Sequence, residues 1–247
     1  MDLAYEVTYH QLEEQNWWFA SRRDMVFDIV KHLKLPSTAP ILEIGCSGGP
    51  LLLALRAAGY KHLKGIDVSE KGITLAQERG LTDVAVMDGA HLNFSDASFD
   101  LVIASDVLEH IEDEAQALRE WRRVLRPGGR LLVFVPAHQY LWSRHDEVNH
   151  HFRRYSAKSL RTAITKASLR VERLAFWNFT LFFPTAMVRL MQRVLPKPEG
   201  PITGDLVPLP PLANTGLLRL IKAENRLLRV LNFPVGVSVF ALAQKAE

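Results

Sequence analysis

The 247-residue chain has one cysteine, Cys46. That excludes an intramolecular disulfide framework and any zinc or iron–sulfur site that needs several cysteines. Long apolar runs are also lacking. The longest uncharged apolar stretch in the C-terminal half, 174–188, has 15 residues, short of the ~20 that a spanning helix needs. Residues 1–10 carry Asp2 and Glu6 and no apolar core segment, so no signal peptide is expected. With 48% hydrophobic and 23% charged residues, the composition is that of a folded globular chain rather than a disordered one. A reducing, cytoplasmic location is the default expectation.

Acidic residues are scarce in one half. Residues 1–150 hold 22 Asp+Glu against 15 Lys+Arg, whereas residues 151–247 hold 5 against 15, and the whole chain is left at +3. Either the basic part meets an anionic partner, such as a phosphate, a pyrophosphate or an acidic membrane surface, or it folds against the acidic part.

The pattern along the chain predicts a helix over 3–20 with the cluster Trp17-Trp18-Phe19, and a second over 22–35 capped by Ser21. An alternation follows. Strands are expected at 41–44, 62–68, 83–87, 99–105 and 130–135, and helices at 51–58, 70–79 and 112–126. Short apolar runs separated by helices through brief loops mean βαβ units and a parallel sheet. Further on, a helix from Ser156 to about Ser168, a strand over 169–175 and a last strand over 237–243 are expected. Between those two strands lie two helices, 184–195 and about 215–231, joined by a proline-rich loop over 196–211. The domain reading is therefore 1–38 N-terminal helices, 39–175 α/β core, 176–234 helical insertion and 235–247 last strand.

Four stretches carry chemistry. In ILEIGCSGG, Ile41 to Gly49, a strand enters a glycine turn at a helix N-terminus, where free N–H groups face a polar ligand. Ser47 and Pro50 stand where a dinucleotide fingerprint has its second and third glycines, which argues against NAD. Asp67 ends the second strand, 18 residues beyond Gly49, where a carboxylate can accept both ribose hydroxyls or merely cap the next helix. Asp88-Gly89-Ala90 after the third strand can meet an adenine edge, or form an ordinary Asp-Gly turn. Ser105, Asp106 and His110 follow the fourth strand, where a substrate would meet a cofactor; His110 could equally be a half-buried structural histidine.

Together with LRPGGRLLVFVP, Leu125 to Pro136, these stretches resemble the class I S-adenosylmethionine-dependent methyltransferases, in the small-molecule branch that includes quinone-biosynthesis methyltransferases. The resemblance covers roughly residues 40–136. It implies an α/β, Rossmann-like, doubly wound seven-stranded sheet whose last strand is antiparallel, and S-adenosyl-L-methionine as cofactor. Glu43, Gly45, Cys46, Ser47 and Gly49 would then hold its methionine part, Asp67 with Val68 its ribose, and Asp88, Gly89 and Ala90 its adenine. Ser105 and Asp106 would line the methyl-transfer side. Ser47 departs from the family's usual middle glycine, which puts that turn's backbone contact in question.

After the fifth strand, His138, His145, Asp146, His150, His151, Arg153, Arg154 and Tyr155 crowd 18 residues. One reading is a general base with an anion clamp: a neutral histidine takes the acceptor's proton while Arg153 and Arg154, beside Tyr155, hold the substrate. Another is a loop tied down by salt bridges with Tyr155 packed inside. The spacing matches no standard metal motif, so no metal is expected. The base candidates are His145, His150, His138 and His110, with Asp106 behind them.

The insertion has apolar faces bordered by arginines: Arg189 and Arg193 on the first helix, and Arg219, Lys222, Arg226 and Arg229 on the second. Glu224 interrupts the apolar side of the second. The pair could lie on an anionic bilayer, form a lid over an apolar substrate, or form a packed subdomain or homodimer face. The expected activity is methyl transfer, by preference O-methylation of an apolar, quinone-like or lipid-linked small molecule. A sugar or natural product is the alternative acceptor, and a non-catalytic cofactor-binding or membrane-associated protein the alternative class. Nucleic acid is not an expected partner, because Ser105-Asp106-Val107-Leu108 is no base-stacking motif.

Overall fold

The computed structural model describes residues 9, 10, 12–194 and 208–246. Residues 3–8 and 11 of the first expected helix, Leu195, and 196–207 of the proline-rich loop lie outside the described residues. Helix α1 (Trp17–His32) starts at Asn16, whose side chain accepts from Trp18 N. Asn16, not Ser21, is therefore the cap. Ser21 sits inside a continuous helix, where its Oγ donates back to Trp18 O at 3.1 Å, an alternative open to a mid-helix serine.

The strands are β1 (Ile41–Ile44), β2 (Leu63–Asp67), β3 (Val84–Val86), β4 (Phe99–Ser105), β5 (Leu125–Pro136), β6 (Leu169–Trp177) and β7 (Ser238–Lys245). They form one seven-stranded sheet in the order β3-β2-β1-β4-β5-β7-β6. β1 to β5 pair in parallel and β7 is antiparallel to both neighbours. The helices between them are α2 (Pro50–Ala57), α3 (Glu70–Glu78), α4 (Glu114–Val124), α5 (Arg144–Val148), α6 (Ala157–Lys166), α7 (Phe182–Val194) and α8 (Pro211–Leu228).

Strand residues alternate between two cores, as a period of two requires. Val102, Ala104, Leu131, Val133 and Val135 face α4 and α6. Leu101, Ile103, Leu132 and Phe134 face α1, α2 and α8. The order reverses between β1 and β4, and the crevice at such a switch point is where open α/β sheets bind ligands.

Both helices between β6 and β7 sit with polar groups inward. On α7, Arg189 is buried while Phe183, Met187, Leu190 and Met191 are exposed. On α8, Ile221, Glu224, Asn225 and Leu228 are buried while Leu220 and Leu227 face solvent, as does Leu231 beyond its end. Among the described residues Glu224 meets no basic partner. It accepts from Phe179 N, Thr180 N and Thr180 Oγ1 at 2.7–2.8 Å, which pins the turn after β6.

Candidate active site

The strand ends on the carboxyl edge open into a cavity of about 1210 Å³. Glu43, Gly45, Cys46 and Ser47 line it from β1, Asp67 and Val68 from β2, Asp88 and Gly89 after β3, and Ser105 and Asp106 from β4. Gly49 and Ala90, expected among the cofactor contacts, do not line it. Gly49 turns the chain with φ 74 into α2, and a Cβ there would meet Leu81 Cδ1 at 2.1 Å. Ala90 is turned inward, and its N–H donates to Asp88 Oδ1 at 2.8 Å rather than to the cavity.

The glycine turn is a tight cradle. Gly45 has φ 74, and a Cβ there would strike Val107 Cγ2 at 2.4 Å. Ser47 adopts a left-handed φ of 48, a conformation that costs a non-glycine residue about 1 kcal/mol or more. Its hydroxyl explains the departure: Oγ donates to Glu13 Oε2 at 2.6 Å. Glu13 also takes Arg79 Nη1 at 2.8 Å. The N-terminal segment is thereby seated on the turn, and Tyr9, His10 and Glu13 become part of the cavity wall.

Glu43 is buried, and its Oε2 has no hydrogen-bond partner among the described residues. Burial, helped by Asp67 and Glu13 nearby, pushes its carboxyl well above the usual range. A buried acceptor is costly unless a partner completes it, and Glu43 lies in the cavity wall. Asp67 is held in place by Ser47 N and Ser69 N, each at 2.8 Å. Burial raises its pKa against those two hydrogen bonds. Asp88 is more open, with its Oδ2 beside His91 Nδ1 at 3.0 Å. The indole of buried Trp121 fixes the same turn by donating to Gly89 O at 2.8 Å. Cys46 is buried against Gly65, and desolvation drives its thiol pKa up, so it stays neutral.

The histidine-rich loop roofs the other half. His110, His145, His150 and His151 line the cavity. His138 does not, being stacked among Tyr140 and Phe176 and against the edge of Phe182. Of the three residues expected to hold the substrate, Arg154 lines the cavity and Arg153 and Tyr155 do not. Arg154 is taken by Asp146, with Nε to Oδ1 at 2.7 Å and Nη2 to Oδ2 at 3.0 Å. Arg153 donates to Glu112 O and pairs with Glu114. Tyr155 is in the core, its hydroxyl donating to Glu114 at 2.6 Å. The loop is thus tied down by ion pairs with Tyr155 inside.

Sequence reasoning passed over His151 as a base. Its Nδ1 lies 2.9 Å from Asp146 Oδ1. Burial works against the Asp146 carboxylate, but hydrogen bonds from His151 and Arg154 outweigh it and hold the group well below the usual range. An ionised carboxylate only accepts, so Nδ1 carries the proton and Nε2 is left as the basic nitrogen. His110 packs edge-on against His151 with centroids 4.5 Å apart. Burial and that neighbour push its pKa down to about 3. Ligand atoms of Glu109, His110 and His151 fall within 4.8 Å of one another, a set that could hold a cation.

Arg22, one of the pair Arg22-Arg23 after the aromatic cluster, was not among the expected site residues, yet it lines the cavity. It is buried, donates to Ser238 Oγ at 2.7 Å and lies 3.3 Å from Asp106 Oδ1. Asp106 itself has a left-handed φ of 58 that turns its side chain beside the cavity.

Comparison with known proteins agrees with this geometry. Residues 42–133 match the model of a family described as a methyltransferase domain. The chain is 38% identical over 100 residues to the 27-O-demethylrifamycin SV methyltransferase of Amycolatopsis mediterranei, covering 38% of this chain and 37% of that protein. It is 33% identical over 97 residues to the ubiquinone biosynthesis O-methyltransferase of Aromatoleum aromaticum, covering 37% and 41%. The match thus spans less than half the length of either relative. The putative methyltransferase solved with the Haloferax volcanii Trm112 activator superposes with a TM-score of 0.65 at 18% identity, covering 99% of this chain and 95% of that one, a likeness of fold.

Proposed function

We propose that the protein transfers the methyl group of S-adenosylmethionine to a hydroxyl of an apolar, quinone-like or lipid-linked small molecule. The observation that carries the reading is that one cavity is lined by Glu43, whose Oε2 has no partner among the described residues, and by Asp67 at the end of β2. Glu43 would take the ammonium of the methionine part, while Gly45 lets the backbone approach it. Asp67 would accept the ribose hydroxyls, and Asp88 with Gly89 would meet the adenine. The bound cofactor supplies an already electrophilic methyl, so the protein's task is alignment and proton removal. His151, oriented by Asp146, would take the hydroxyl proton at Nε2. His110, His145 and His150 stand around it as the polar roof.

Two observations support an apolar acceptor. Trp17, Trp18, Val26, Leu181, Val188 and Leu217 line the cavity beside the polar groups. The exposed stripe of Phe183, Met187, Leu190 and Met191 runs on the helix that also supplies Val188 to the cavity wall. We read α7 and α8 as a lid that offers this stripe to an anionic membrane surface, from which the acceptor enters. Among the described residues no helix is long and apolar enough to cross a membrane. The test is incubation with labelled S-adenosylmethionine and separate lipid and water-soluble extracts. Label in the lipid fraction is expected; label confined to the water-soluble fraction favours a sugar or other polar acceptor, and no label favours a non-catalytic binding role.

A further inference from the structure

Glu109, His110 and His151 meet in the cavity wall. Each offers a ligand atom, and the three atoms lie within 4.8 Å of one another. Glu109 and His110 belong to the short 3-10 turn Leu108–His110 after β4, whereas His151 comes from the loop after α5. The backbone locks the two segments together, because Phe152 N donates to Glu109 O at 2.8 Å. Two neighbours in sequence and one distant residue match no local metal motif, so the group forms only in the fold.

Glu109 is 1% exposed, and its Oε2 has no hydrogen-bond partner among the described residues. The side-chain charges that act on it are Asp106, Arg22 and Arg154. Arg154 is taken by Asp146, and Arg22 lies against Asp106. Three carboxylates thus share two guanidiniums. One negative charge is left over in a buried corner, where it is costly until a proton or a cation neutralises it. The histidines favour the cation. His151 has Nδ1 against Asp146 Oδ1 at 2.9 Å, which leaves the lone pair on Nε2. His110 is hydrogen-bonded to the backbone of Asn149 through one ring nitrogen, which leaves the other. Imidazoles held in this way, by a carboxylate or by the main chain on their far side, are oriented as metal ligands are. A proton would satisfy one of the three donor atoms, whereas a cation satisfies all three.

We infer that Glu109, His110 and His151 bind a divalent cation of the zinc class, and that the bound cation withholds His151 Nε2 from proton transfer. Two imidazoles and one carboxylate are a zinc-type set, unlike the oxygen shell that magnesium or calcium takes. Tetrahedral ligands about 2.0–2.2 Å from zinc lie ~3.3 Å apart, so side-chain rotations that draw the group in by roughly 1 Å complete the shell. Three protein ligands leave a further position for water on the cavity side. The lone pair on Nε2 holds either the cation or a proton, so the two roles exclude each other. That exclusion rests on the methyl-transfer reading of the cavity; the binding of the cation does not.

Calorimetric titration of the full chain with zinc chloride, without cofactor or acceptor, should show one site with a Kd of about 1 µM or tighter. Cobalt(II) in its place should give the visible absorption of a four-coordinate site. Glu109→Gln and His151→Gln should each weaken zinc about 100-fold or more. Glu109→Gln keeps the shape of the side chain, and Oε2 has no partner to lose, so this variant is informative even where His151→Gln fails to fold. Zinc binding unchanged in Glu109→Gln, or magnesium binding as tightly as zinc, overturns the site. With labelled S-adenosylmethionine and membrane lipid extract, zinc should lower methyl transfer at least tenfold, and a chelator should restore it. The zinc concentration that halves transfer should rise about 100-fold in Glu109→Gln. Unchanged or faster transfer by the zinc-loaded protein overturns the withheld base. Absence of transfer with and without zinc would instead remove the methyl-transfer reading, while the titration still decides the cation site.

Discussion

Asp146 Oδ1 lies 2.9 Å from His151 Nδ1, and the same carboxylate takes two hydrogen bonds from Arg154. Asp146 is fully buried and also closes the capping box of α5 with Ser143. One carboxylate therefore sets the tautomer of His151, holds the loop and satisfies a helix start. His151→Gln should lower kcat for methyl transfer about 100-fold, the worth of a general base, with little change in KM for S-adenosylmethionine. Release of labelled methyl to the acceptor fraction measures this. A KM effect alone would assign His151 to binding.

His110 provides a pH signature. Its pKa in the fold is pushed down to about 3, against ~6.5 in the unfolded chain. Between those values the unfolded chain binds a proton that the fold refuses, so stability rises with pH and is lost as pH falls below about 6.5. The slope is about 1.4 kcal/mol per pH unit. His110→Gln should therefore lose about 2 kcal/mol less than wild type between pH 6.5 and pH 5. Urea unfolding at the two pH values checks it, and equal losses in both proteins would contradict the buried neutral histidine.

Glu224 anchors the turn after β6 with three hydrogen bonds. Glu224→Ala leaves two backbone N–H groups without their partner, a cost of about 2–4 kcal/mol. A lower urea midpoint with unchanged slope is expected. A change below about 0.5 kcal/mol would mean that water replaces the carboxylate.

Much of this was legible in the sequence, for a physical reason. The strand-turn-helix units are local, so Ile41–Ile44 and Phe99–Ser105 follow from neighbours in sequence. Long-range pairings were not legible. Nothing local says that Ser47 replaces a glycine in order to hold Glu13, or that Arg154 belongs to Asp146 rather than to a substrate. The helical faces of the insertion misled for a related reason. Apolar periodicity marks which residues share a face but not how far that face turns inward, and here Glu224, Asn225 and Arg189 are buried along with Ile221 and Leu228 while Leu220 and Leu227 are exposed.

The Ser47–Glu13 contact makes the N-terminal segment a cover for the cofactor end. Glu13→Ala should raise hydrogen exchange at residues 12–23 and weaken S-adenosylhomocysteine by about tenfold or less, since it removes a seat and not a ligand contact. Exchange unchanged from wild type would separate the segment from the glycine turn.

The central claim is that a nucleoside lies along the carboxyl edge of the sheet with its ribose on Asp67. Calorimetric titration of Asp67→Ala with S-adenosylhomocysteine tests it most directly. Loss of two charge-assisted hydrogen bonds predicts a Kd raised about 30-fold or more in a protein that still melts cooperatively. An affinity within twofold of wild type would contradict the account.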